Sequence, residues 1–109
     1  MINNTQFRII GRIGSITPME KLTRISIASN RNIKDNDGNW KTETNWNSVT
    51  VFSEQIRKRL SNEKVGKHGN QLIIEGTIQS SSYEKDGSKV YSVDLIAQEL
   101  EVLSFAKDV

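Results

Sequence analysis

Trp40, Trp46, Phe52 and Tyr83 sit in polar stretches, and lysines and arginines recur in the same segments. An aromatic face open to water can stack an unpaired nucleobase, worth about 1–3 kcal/mol per base, while a neighbouring cation meets a phosphate. A duplex offers no free base faces and a single strand does. The combination therefore suits a single-stranded polyanion, provided the rings point outward. Arg8, Arg12, Arg31, Lys34, Lys41, Lys85 and Lys89 are the candidate phosphate contacts. Taken singly, each is an ordinary solvated surface charge. Their placement beside the aromatics is what selects them. The basic run Arg57, Lys58 and Arg59 is set aside, because helix faces carry such charges for solubility.

Other chemistry finds little material. There is no cysteine, which removes disulfides, thiolate metal sites and cysteine nucleophiles, and His68 is the lone histidine. Glu75, Asp86 and Asp94 show no convergent acid–base arrangement, so we expect no enzyme, no catalytic residue, no metal and no cofactor. The 109 residues suffice for one domain with one modest core, spanning residues 1–109. Basic residues number 15 against 13 acidic, a net charge of +2 that hints at a polyanionic partner without establishing one. No apolar run approaches the ~20 residues of a membrane span, and the N-terminus lacks the plan of a secretory signal. The expected location is cytoplasmic, with no membrane partner.

The elements that must position these side chains follow from periodicity. Residues 5–14, TQFRIIGRIG, alternate Phe7, Ile9, Gly11 and Ile13 against Arg8, Ile10 and Arg12, which predicts a strand. Pro18 ends it in a turn, and residues 21–29 resume alternation through Thr23, Ile25 and Ile27. Residues 30–44 are polar and contain Asp37-Gly38, a tight-turn signal, and read as a long exposed hairpin loop that includes Trp40. A third strand runs through residues 44–52, TNWNSVTVF. Ile56 and Leu60 then fall four apart, as on one helical face, with Ser53 as the cap and Glu54 in the first turn. A fourth strand and a fifth, joined by a polar hairpin at residues 84–88, complete the chain. Three strands, a helix and two strands fit an all-β, five-stranded oligonucleotide/oligosaccharide-binding (OB) barrel with its helix between strands three and four. A small α+β sheet with one covering helix has the same order.

Side chains on a strand alternate, so Trp46, Ser48, Thr50 and Phe52 share one face and Asn47, Val49 and Val51 the other. Hydrophobic bulk would put the Trp/Phe set in the core. The β-branched valines compete for the inside, while Ser48 and Thr50 prefer water. Strand four is clearer: Leu72, Ile74, Gly76 and Ile78 form the inward set, which turns Gln79, Ser81 and Tyr83 outward. By the same parity Tyr91 goes with Val93 and Leu95 and is expected inside.

The segments IIGRIG (residues 9–14), ISIAS (25–29), TNWNSVTVF (44–52), LIIEGTIQSSSY (72–83) and VYSVDLIAQELEVL (90–103) together resemble the bacterial-type single-stranded DNA-binding protein family. The resemblance implies an OB-fold subunit that assembles as a homotetramer and binds single-stranded DNA with little sequence preference in replication, recombination and repair, in the nucleoid-associated cytoplasm. It places base stacking at Trp46, Phe52 and Tyr83. Relatives often have another tryptophan where this chain has Ile33, with Trp40 nearby as a substitute. Gln79, Ser80, Ser81, Ser82 and Glu54 stand where relatives are often basic, and Asn47 where a histidine tied to tetramer contacts is common. Lower affinity or a changed salt dependence is expected. Nothing after Leu103 resembles the acidic, hydrophobic tip by which family members recruit proteins, which counts against tail-mediated partners. The alternative function is that of a primosomal OB-fold accessory protein that mainly bridges other replication proteins.

Overall fold

Period-two alternation builds five strands and the change of period builds one helix. Their order is β1 (Gln6–Pro18), β2 (Thr23–Lys34), β3 (Trp40–Val51), α1 (Glu54–Leu60), β4 (Gln71–Lys85) and β5 (Ser88–Ser104). The structure, a computed structural model, describes residues 5–107. The strands pair in the order β1-β2-β3-β5-β4, and β4 returns to β1 to close a barrel. All pairs are antiparallel except β3–β5, which meet in parallel at Val49–Leu95 and Thr50–Ile96. Closure excludes the open α+β sheet and gives the expected OB barrel.

The barrel interior answers the parity question on β3. Val49 and Val51 are fully buried together with Ile25, Ile27, Leu72 and Ile74. Burying a side chain of this kind contributes about 1.5–3 kcal/mol, and the two valines join one cluster with the inward residues of β2 and β4. Trp46 and Phe52 therefore stay outside, 61% and 51% exposed.

Helix α1 plugs the barrel through Ile56 and Leu60, and the Ser53 hydroxyl caps it by accepting from the Ile56 N–H at 3.3 Å. Arg57 and Arg59 tie it down. Arg57 donates to the Thr23 hydroxyl and the Met19 carbonyl, and Arg59 to the Leu100 carbonyl. Buried Asn70 fixes the following turn, its amide N–H groups on the Lys64 and Val65 carbonyls and its carbonyl oxygen on the Ala106 N–H. Its polar atoms are thereby satisfied. No helix among the described residues is long and apolar enough to cross a membrane.

Three expectations are corrected. Residues 30–44 are mostly strand: β2 and β3 stay in register from Thr23–Val51 to Lys34–Trp40. Only a short turn remains, organised by the Asp35 carboxylate, which accepts from the Asp37 and Asn39 N–H groups at 2.9 and 2.8 Å. The hairpin at residues 84–88 contracts likewise to a two-residue turn, with positive φ at Asp86 and Gly87, which matches the twist of the flanking strands. Tyr91 is not core. It has the inward parity expected, but β5 outruns the barrel there, leaving Tyr91 72% and Val93 65% exposed.

The result is a barrel with two long ribbons, β2–β3 and β4–β5. Since β3 and β5 run parallel where they meet, both ribbons leave the same rim. They raise the radius of gyration to 16.4 Å, against about 13 Å for a compact chain of this length.

Candidate nucleic-acid interface

On the outer face of the first ribbon, Trp46 pairs with Ala28, Thr44 with Asn30, Thr42 with Asn32 and Trp40 with Lys34. The two tryptophans are six residues apart on one face, roughly 20 Å at about 3.3 Å per residue. Trp40, 70% exposed, lies under the Lys34 ammonium, 5.9 Å from the ring centre. Between the rings the Thr44 hydroxyl donates to the Asn30 side-chain oxygen at 2.8 Å, and that of Thr42 to Asn32 at 3.0 Å.

Trp46 has a prepared seat. Its ring reaches across β2 to Gly14 of β1, beside a register shift in the β1–β2 ladder. A Cβ at Gly14 would collide with the indole Cζ3 and stand 3.0 Å from Cη2. The small residues Gly14, Ser26 and Ala28 leave the surface low enough for the ring to lie on it while its other side stays open.

Farther along β3 a groove separates Arg24, Thr50 and Phe52 from Gln79, Asp94 and Ile96. Thr50, on the outward parity, is only 8% exposed, flanked by Arg24 of β2 and Ile96 of β5. Gln79 leads up the second ribbon, where Ser81 and then Tyr83 (55% exposed) continue the same face. Phe52 thus lies at the root of the two ribbons, with Trp46 and Trp40 up one and Tyr83 up the other.

The candidate cations divide. Lys34 and Lys85 share faces with Trp40 and Tyr83, and Arg12 lies in the row Arg12–Ala28–Trp46 while donating to the Gly69 carbonyl at 2.9 Å. Arg31 and Lys41 are on the opposite face of the first ribbon, Arg31 in an ion pair with Glu43 at 3.2 Å. Lys89 is on the opposite face of the second, 5.6 Å from the Tyr91 ring centre. Arg8 is on the outer wall of the barrel, paired with Glu75 at 2.9 Å. Arg24 enters the groove instead. Thr23 and Ile25 on either side are buried, which turns it outward. Ile33 faces away from both tryptophans, opposite Lys41. His68 is an exposed turn residue with Nδ1 2.7 Å from the Gly14 carbonyl oxygen, and no cluster of three or more potential metal ligands occurs among the described residues.

Known proteins share this architecture. A single-stranded DNA-binding protein from Xanthomonas axonopodis pv. citri is 34% identical over 83 residues, covering 75% of this chain and 44% of its own length. Single-stranded DNA-binding protein 1 from Xylella fastidiosa is 29% identical over 119 residues, covering 99% of this chain and 83% of its own. A crystal structure of a mitochondrial single-stranded DNA binding protein from S. cerevisiae matches with a TM-score of 0.72 at 28% identity, over 96% of this chain and all of that one. The chain spans less than half the length of the Xanthomonas relative. The model of the single-strand binding protein family matches residues 5–103, and the chain belongs to that family.

Proposed function

We propose that the chain binds single-stranded DNA with little sequence preference, in replication, recombination and repair. The observation that carries this reading is Trp46: it stands 61% exposed on a seat of small residues while Val49 and Val51 fill the core. A large ring held open in this way is suited to stacking on any base. Phe52, Tyr83 and Trp40 extend the platform, and Arg12, Arg24, Lys34 and Lys85 are the cations that share it. Arg31 and Lys41 on one ribbon and Lys89 on the other reach phosphates only if the strand wraps a second face. Arg8 contributes least, being held by Glu75.

Titration with oligo(dT) and with a duplex of equal length tests the reading. The single strand is expected to bind at least tenfold more tightly, roughly the value of one stacked base. With four cations on the platform, log K against log salt should have a slope of about −3 per chain at most. Equal affinity for the two forms would overturn the proposal.

The assembly proposed is a homo-oligomer, with the tetramer favoured. Supporting it, Ile10 and Ile73 pair across β1 and β4 on the outward parity, and Leu103 and Phe105, exposed nearby, add apolar surface. Light scattering should then give a mass near four times the 12.3 kDa of one chain. A monomer at micromolar concentration would overturn it.

A further inference from the structure

We propose that the Asn30–Thr44 and Asn32–Thr42 rungs are a neutral hydrogen-bonding track for the nucleotides between Trp46 and Trp40. The inference rests on the single-stranded DNA reading and specifies which side chains touch the strand between its aromatic stops, and by what chemistry.

A strand stacked on both tryptophans has to cross the roughly 20 Å between them, and the rungs fill that interval on the same face. Each asparagine oxygen already accepts from a threonine hydroxyl, which orients the amide. The amide nitrogen keeps two donors, and neither finds an acceptor among the described residues. Donors fixed in advance and pointed at solvent bind without the cost of ordering a long side chain. Their complements are the phosphate, sugar and base-edge acceptors of a nucleotide, available whatever the base. The opposite face of the ribbon is built differently: Arg31 is already engaged by Glu43, and Ile33 and Lys41 follow. Along the outer face Lys34 is the single cation from Ala28 to Trp40 on the two strands. The track therefore holds the strand by neutral donors, which release no counterions.

The test is the double substitution Asn30→Thr, Asn32→Thr in the 109-residue chain. Threonine removes the amide donors while keeping a cross-strand hydroxyl pair and favouring the strand, so the ribbon is retained. Binding of fluorescein-labelled oligo(dT), followed by anisotropy over a salt series, should weaken about tenfold at every salt concentration, as for two lost hydrogen bonds. The slope against log salt should not change. Lys34→Gln, in contrast, should lower the slope by about 0.7. Affinity within about twofold of the parent overturns the proposal. So does a double variant with a slope changed like that of Lys34→Gln, or one with altered solution mass and unaltered binding, which would make this face a subunit contact. Trp46→Ala in the same titration separates the levels. If it weakens binding and the double variant does not, the track alone fails; if neither does, the single-stranded DNA reading fails with it.

Discussion

Trp46→Ala is expected to weaken oligo(dT) binding by about 5- to 150-fold, the equivalent of 1–3 kcal/mol for one stacked base, without unfolding the barrel. The fold should survive because the ring contributes nothing to the interior: it is 61% exposed, and the neighbouring core positions Val49 and Val51 are untouched. Circular dichroism and the melting midpoint should stay within a few degrees of the parent, as for a surface substitution of about 0.5 kcal/mol. Gly14→Ala probes the seat from the other side. Its new methyl meets the far end of the Trp46 ring, which can swing outward, so stability should fall by only about 1 kcal/mol while binding drops toward that of Trp46→Ala. In a Trp40→Phe background the displaced ring should emit at longer wavelength before DNA is added. Loss of folded signal on Trp46→Ala, or parent-like affinity, would contradict the role given to this ring.

How far these features were legible in the sequence depends on the contacts that decide each one. The barrel and its helix follow from local patterns: strand alternation, the Ile56–Leu60 spacing and the Ser53 cap all satisfy themselves within a few residues. The face of Trp46 required a comparison between strands, because parity alone defines two sets without saying which is buried. The ribbons were harder to read. Polar residues such as Asn30, Asn32, Thr42 and Thr44 carry no hydrophobic signal when both faces of a ribbon meet water, so a paired extension resembles a loop. The same blind spot misplaced Tyr91: alternation continued correctly to that residue, but nothing local marks where a strand leaves the barrel. Charge pairing was equally hidden. Arg31 and Glu43 are 12 residues apart and meet only through the β2–β3 register, as Arg8 and Glu75 meet through β1–β4.

Gly76→Ala should be the most damaging single-methyl change in the barrel, lowering stability by about 3 kcal/mol and the melting midpoint by roughly 12–24 °C. Gly76 lies where the β4–β5 register shifts, so that Glu75 opposes Glu99, Gly76 opposes Ala97, and Gln98 is the extra residue between. The backbone carbonyl of Ile96 fills the space a side chain would need, and Phe7 Cε1 of β1 stands 2.9 Å from the same point. Backbone on one side and a packed ring on the other leave the methyl nowhere to go, unlike the free ring edge above Gly14. Relief requires moving β5 at Ile96, and Ile96 is half of what joins the two ribbons, since β3 and β5 pair only at Val49–Leu95 and Thr50–Ile96. Ile96 also lines the groove against Phe52. A shift there opens the groove and changes the angle between the ribbons, so the variant should bind oligo(dT) more weakly even at temperatures where it remains folded. Thermal melts and titrations well below the midpoint separate the two effects. A parent-like midpoint would mean that β5 accommodates the methyl without strain, and a lowered midpoint with parent-like binding would mean that the groove does not depend on the register at Ile96.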